Sequence, residues 1–208
     1  MTPIMTLAIT DWLWFGLIAL AAYLLGSVCT AIFVCRLFGL ADPRSTGSSN
    51  PGATNVMRLG GKLPALLTFL GDALKGVPPI LLAYGMGLPL WMVGLISVFA
   101  LLGHIYPVFF GFAGGKGVAT AFGVLLGLDW RLCVGALLSW VIVFALSRVS
   151  SLASLISFVV LVPIFAYFWQ IDLLPALSLM GLLILWRHRQ NIADLMQGKE
   201  RGFRQSKS

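Results

Sequence analysis

The sequence predicts an all-α, polytopic integral membrane protein of about seven transmembrane helices, on three observations. The 208 residues are 59% hydrophobic and 10% charged, with mean hydropathy +0.97. Soluble domains run at about 45–50% apolar and about 25% charged. Apolar runs follow one another with only short polar breaks, several of them long enough to span a bilayer. Lys and Arg collect in alternate breaks. The 14 basic and 7 acidic residues cannot solvate a globule of this size. That excludes a soluble enzyme, a disordered chain and a nucleic-acid-binding domain. A net charge of +7 on so apolar a chain points to membrane topology.

The first apolar run, 12–35, precedes a polar stretch at 36–62. The second, 63–88, contains Asp72 and Lys75, and the third is 89–112. A short fourth, 114–128, is closed by Asp129, Trp130 and Arg131. The fifth, 132–146, ends at Arg148, the sixth, 152–169, ends near Asp172, and the seventh is 173–186. From Arg187 the chain is basic and hydrophilic. This gives one transmembrane domain over 1–208 with a basic tail at 199–208. With 36–62 inside, that side carries twelve Lys/Arg against Asp42, Asp194 and Glu200, net +9. The outer side carries Asp11, Asp129 and Asp172 against Arg131, net −2. Asp72 and Lys75 cancel within the second span. The positive-inside rule then places the N-terminus outside and the C-terminus in the cytoplasm. Fusing the fourth and fifth runs would bury Asp129 and Arg131 in lipid and set like-charged loops on opposite sides. Cys29, Cys35 and Cys133 form no CxxC pair, so no disulfide framework or thiolate metal site is expected. The first eleven residues carry no Lys or Arg, and no cleavable signal is expected.

Three polar clusters share the predicted cytoplasmic face. The first is the loop 44–58, which holds Ser48, Ser49, Asn50, Gly52, Thr54, Asn55 and Arg58. Asn50-Pro51 reads as a helix N-cap followed by proline at the first helical position. A helix starting there would aim free amides toward Ser48 and Ser49. Thr54 and Arg58, four apart, share a face. The loop is either an anion site or a solvated connection, and its density of hydrogen-bonding groups with so few acids favours the anion site. The second cluster is Gly111-Phe-Ala-Gly114-Gly115-Lys116-Gly117. It lacks the spacing of a P-loop. Its glycines can still turn amides toward a ligand at the start of a helix, with Lys116 adding a full charge. His104 precedes it and reads more readily as a packing residue. Gly123 and Gly127 read as a close helix contact. The third cluster is His188-Arg-Gln-Asn191 with Gly198-Lys-Glu200. His188 and Asn191 are three apart, on one helical face, and suit a polar substrate. For Arg187 and Arg189 the favoured reading is attraction to anionic lipid. Asp72 and Lys75 form an i,i+3 pair within a span, equally a functional pair or a neutralised structural one. HExxH, GxSxG and a His with an Asp five residues on are all absent.

In order, Ser48-x-Asn50-x-Gly52-Ala53-Thr54-Asn55-Val56-x-Arg58, Gly71-Asp72-x-x-Lys75-Gly76, Gly103-His104-x-x-Pro107-Val108-Phe109, Gly114-Gly115-Lys116-Gly117-Val118-Ala119-Thr120 and His188-x-x-Asn191-Ile192 with Gly198-x-Glu200 resemble the bacterial acyl-phosphate:glycerol-3-phosphate acyltransferases. The resemblance runs from about residue 26 to 200. Pro51 and Asp194 depart from the family pattern. The resemblance implies a seven-helix enzyme of the bacterial inner membrane with a cytoplasmic site. It implies transfer of a fatty acyl group from acyl phosphate to the 1-hydroxyl of glycerol 3-phosphate. The products are lysophosphatidate and phosphate, and the step opens phospholipid synthesis.

On that basis Ser48, Arg58, Lys116 and His188 are the candidate catalytic residues. Arg58 and Lys116 would meet phosphate charge. The amides of Gly114, Gly115 and Gly117, with Lys116, would stabilise the leaving group or oxyanion. Ser48, Ser49, Asn50, Gly52, Thr54, Asn55, His104 and Thr120 would contact or orient substrate. His188 and Asn191 would hold glycerol 3-phosphate, with His188 as base. Ser48 as covalent nucleophile is disfavoured because no base is adjacent in sequence. Asp72, Lys75 and Glu200 are structural candidates. No metal or other cofactor is expected. The partners are the two small substrates and the bilayer, with no nucleic acid and no obligate protein partner. The rival reading is an exchanger of organic phosphates, which would need polar groups nearer the midplane.

Overall fold

The computed structural model describes residues 7–200, which are helical with no strand among them. Helix α1 (Ile9–Gly26) starts where the Asp11 carboxylate accepts from the Ala8 N–H at 2.9 Å. A break at 27–29 separates it from α2 (Thr30–Leu37). Then follow α3 (Ala53–Gly60), α4 (Lys62–Leu74), α5 (Val77–Gly85), α6 (Leu90–Ile105) and α7 (Val118–Leu128). Helix α8 (Trp130–Ser147) is capped by Asp129, whose side chain accepts from the Arg131 N–H. Helix α9 (Ser150–Leu155) widens into a π-helical segment at Ile156–Leu161 before α10 (Val162–Trp169). Helices α11 (Leu174–Arg187) and α12 (Arg189–Met196) close the described chain.

By length and composition, five segments among the described residues can cross a bilayer: Ile9–Leu37, Lys62–Gly85, Leu90–Phe110, Trp130–Ser147 and Ser150–Trp169. A sixth is Ile171–Arg187 continued by Arg189–Met196 after a 60° bend. The expected fourth span departs from this. Only α7 is helical there, because residues 114–117 form no regular structure and Gly117, left-handed at φ +86, caps the start of the helix. Its 11 residues reach about 16 Å at 1.5 Å each, against about 30 Å of hydrocarbon. Helix α7 survives at that length because it is packed inside the bundle, against α4, α5, α6 and α8.

Lipid tails are as apolar as leucine, so close van der Waals packing must hold such a bundle together. Gly26 on α1 and Gly103 on α6 let the two helices touch backbone to backbone. A Cβ on Gly26 would strike the Ala100 carbonyl, and one on Gly103 the Tyr23 carbonyl. Gly123 does the same against Ala73 of α4, and Gly127 makes room for the Ile80 side chain of α5, a close packing that their spacing predicted. Met92, Ile96, Leu101, Leu125, Phe158, Leu177 and Ile184 fill the interior. The loop 36–62, the glycine loop before α7, the α8–α9 turn and the chain after α11 meet at one end. At the other, Gln170 donates to Asp129 at 3.0 Å.

Candidate active site

The end that gathers the basic loops encloses a cavity of about 900 Å³. Of the residues singled out by sequence, its lining contains Ser48, Asn50, Gly52, Thr54, Asn55, Arg58, Asp72, His104, Lys116, Gly117, His188, Asn191 and Glu200. Segments separated by more than a hundred residues therefore converge. Ser49, Lys75, Gly114, Gly115 and Thr120 do not line it.

The first loop is a built structure. Asn55 is 1% exposed. Its Oδ1 accepts from the Ser48 N–H at 2.9 Å, and its Nδ2 donates to the Pro43 and Thr46 carbonyls at 3.0 and 2.9 Å. Both amide hydrogens are spent within the loop, so Asn55 braces it and has no donor left for the substrate contact expected of it. Ser49 takes a left-handed backbone (φ 53) and is exposed. The helix expected at Asn50-Pro51 begins later, at Ala53, with Gly52 as its N-cap and no side-chain cap. Arg58, half-buried on α3, has no hydrogen-bond or ion-pair partner among the described residues and lines the cavity. Thr54 lies across from Ser150, with hydroxyls 3.4 Å apart.

The glycine loop also differs from expectation. The Gly115 N–H donates to the His104 carbonyl at 3.2 Å. The Gly114 and Gly115 carbonyls accept from Arg187 at 2.9 and 3.1 Å. These two glycines are small because His104, Ile105 and Pro107 leave no room for a Cβ; the Gly115 amide is spent on His104, and neither glycine lines the cavity. The free amides belong to the first turn of α7. Lys116 points into the cavity edge and donates to Asn191 Oδ1 at 2.5 Å. Burial draws its ammonium down from 10.5 to about 8, Glu200 pulls it back up, and Arg58 and Arg187 lower it further. Asn191 donates to Glu200 Oε1 at 2.8 Å, which also accepts from the Ser151 hydroxyl at 2.6 Å. Glu200 thus braces the segment that follows α12.

His188 is 2% exposed and sits at the bend between α11 and α12. His188 and Asn191 therefore do not lie along one straight helix, though both line the cavity. His188 Nδ1 is 2.8 Å from the Ile184 carbonyl. A carbonyl only accepts, so Nδ1 carries the proton and Nε2 keeps its lone pair. The same logic orients His104. The Thr120 hydroxyl gives its proton to the Asp72 carbonyl at 2.9 Å, so His104 Nδ1, 3.1 Å away, donates to Thr120. Thr120 is a wholly buried support, not a substrate contact. His104 Nδ1 is also 3.7 Å from the Asp72 carboxylate. No local spacing could reveal this His-Asp approach, because it joins α6 to α4. Asp72 is paired with Lys75 at 2.8 Å, and Lys75 also donates to the Val28 carbonyl in the α1–α2 break at 2.6 Å.

Sequence reading missed Arg187, the hydroxyls of Ser150, Ser151 and Ser154, and the apolar half of the cavity. The three serines fall at i, i+1 and i+4, a polar stripe in an apolar run that could have marked them. The apolar half is formed by Ala65, Leu66 and Phe69 on α4, Phe122 on α7, and Leu137, Trp140, Val141 and Phe144 on α8. Helix α7 packs on both α4 and α8 and forms the floor of a groove between them. Leu66, Leu137 and Val141 are 53%, 45% and 49% exposed, so the groove opens sideways.

A helical membrane bundle in which a cationic, hydroxyl-lined chamber runs into an apolar groove defines an integral membrane protein complementary to an anionic amphiphile. Residues 16–198 match the family model described as glycerol-3-phosphate acyltransferase. A glycerol-3-phosphate acyltransferase of Methylobacillus flagellatus is 54% identical over 186 residues, 88% of this chain and 94% of that one. One of Idiomarina loihiensis is 49% identical over 188 residues, 90% and 95%. Crystal structures of PlsY, an integral membrane glycerol 3-phosphate acyltransferase, superpose on this chain. The glycerol 3-phosphate form gives a TM-score of 0.85 at 38% identity, covering 91% of this chain and 95% of that one. The form with lysophosphatidic acid gives 0.84 at 36% identity, with the same coverage. The chain belongs to the glycerol-3-phosphate acyltransferase family, and it is an integral membrane acyltransferase.

Proposed function

We propose that this protein transfers a fatty acyl group from acyl phosphate to the 1-hydroxyl of glycerol 3-phosphate, forming lysophosphatidate and phosphate at the start of phospholipid synthesis. The observation that carries the reading is one cavity with Arg58 and Lys116 at its polar end and an alkyl-sized groove at the other. Family membership in the acyltransferases displaces the exchanger reading.

The glycerol oxygen attacks the acyl carbonyl, the bond from carbonyl carbon to phosphate oxygen breaks, and phosphate leaves. Acyl phosphate is a mixed anhydride with a good leaving group, so positioning and anion stabilisation dominate. Arg58, Lys116 and the first amides of α7 take the phosphate charge. Ser48, Asn50 and Thr54 orient the substrates. His188 Nε2 accepts the hydroxyl proton, and Asn191 helps to hold glycerol 3-phosphate. The alkyl chain lies in the groove between α4 and α8. We further propose seven crossings, with α7 as the short fourth. The N-terminus then lies outside and the site faces the cytoplasm of a bacterial inner membrane, in keeping with the +9 and −2 partition of charge. Part of the basic tail, residues 201–208, lies outside the described residues.

The test is release of inorganic phosphate by detergent-purified protein given acyl phosphate and glycerol 3-phosphate. Folded His188→Ala and Arg58→Ala variants are expected to lose most of that release. If both retain wild-type rates, the assignment is wrong.

A further inference from the structure

Arg187 is the last residue of α11. Sequence reading assigns it to the membrane surface, yet its guanidinium turns inward onto the glycine loop. Nη2 donates to the Gly114 carbonyl at 2.9 Å and Nε to the Gly115 carbonyl at 3.1 Å. Its Cζ lies 5.9 Å from the centre of the Tyr106 ring. Two successive carbonyls are thus held by one planar cation.

A trans peptide carries its C=O and N–H antiparallel. Directing the Gly114 carbonyl at Arg187 turns the Gly115 N–H the other way, and that N–H is found on the His104 carbonyl at 3.2 Å. By the same geometry, directing the Gly115 carbonyl at Arg187 turns the Lys116 N–H away from the guanidinium. The Lys116 N–H has no partner among the described residues, while Lys116 and Gly117 line the chamber. The loop is gripped from two sides. On one, a Cβ at Gly114 would strike the His104 and Ile105 carbonyls, and one at Gly115 would strike His104 Nε2. On the other stands Arg187.

We propose that Arg187 is a positioning residue. It sets the peptide orientation of 114–116 so that the Lys116 amide, the Lys116 ammonium and the first turn of α7 meet a bound phosphate together. The proposal rests on the chamber being the acyl-transfer site. Arginine suits the task because its rigid fork reaches two carbonyls at once, whereas a lysine ammonium acts as a point charge on a flexible stem.

The experiment compares full-length wild type, Arg187→Ala and Arg187→Lys in detergent. Hydrogen–deuterium exchange of 111–118 reads the loop directly. Arg187→Ala is expected to exchange faster there and little elsewhere, with added millimolar guanidinium restoring protection. In steady-state assays kcat/KM is expected to fall about 10- to 100-fold, with guanidinium restoring part of it and Arg187→Lys intermediate. Unchanged loop exchange in folded Arg187→Ala overturns the proposal. So does a loss that guanidinium leaves untouched while exchange rises throughout the bundle, which would give Arg187 a purely structural role. If the wild type transfers no acyl group, the proposed function fails, and the exchange comparison still decides the role of Arg187. Should Arg187→Ala not fold, Arg187→Lys carries the same exchange comparison.

Discussion

The Lys116 ammonium donates to the Asn191 side-chain carbonyl at 2.5 Å, tying the start of α7 to α12. Asn191 is oriented from its other end by Glu200, at 2.8 Å. A neutral carbonyl can steer the cation without neutralising it. Asn191→Asp would place a second carboxylate beside Glu200 and cancel the charge of Lys116. Its turnover, followed as phosphate release, is expected to fall more than that of Asn191→Leu, with both down by about tenfold or more. Equal turnover in Asn191→Asp and wild type would separate this contact from catalysis.

Lys116 also sets a pH limit. Its proton affinity is lowered to about 8, chiefly by burial, and only the protonated form attracts phosphate. kcat/KM is therefore expected to be level just below pH 8, where His188 is still neutral, and to fall as pH rises through it. In Lys116→Arg, whose guanidinium stays charged throughout, the alkaline limb should move up or vanish. A limb that stays near pH 8 in that variant belongs to another group.

The buried pair on α4 bears on stability. Asp72 is 1% exposed, and Lys75 joins it to the Val28 carbonyl in the α1–α2 break. Lys75→Met would strand a buried carboxylate and uncap that carbonyl. The expected loss is about 3–5 kcal/mol, read as a lower melting temperature in detergent. The double variant Asp72→Asn/Lys75→Met should recover part of it, because no lone charge remains.

The groove invites a substrate test. Leu137→Trp adds bulk at its exposed lip. Turnover of long-chain acyl phosphates is expected to drop about tenfold relative to short-chain ones, with the KM for glycerol 3-phosphate little changed. An equal drop for both chain lengths would place the alkyl chain elsewhere.

The bundle was legible because composition and charge alternation are properties of whole segments. The polar clusters were legible because Arg58, Lys116 and His188 stand out against so apolar a background. Backbone direction was not legible. Gly114 and Gly115 read as a cradle of amides, whereas the Gly115 amide is taken by His104 and both carbonyls by Arg187. Asn55 looked like a ligand contact and is spent on three bonds within its own loop. Arg187 looked like a surface charge because its partners are carbonyls, which carry no side-chain signature. The nearness of Asp72 to His104 depends on how α4 crosses α6, which residue spacing within either helix does not encode.

The side-facing mouth between Leu66, Leu137 and Val141 changes what concentration means for this protein. On the proposed reading, the fatty partner arrives broadside from the hydrocarbon phase, and its tail never passes through water. Its effective supply is then counted per unit area of lipid, while glycerol 3-phosphate is counted per volume of cytosol. Added lipid or detergent at a fixed amount of donor dilutes one reactant and leaves the other untouched. The groove makes the host phase itself a kinetic variable of the reaction.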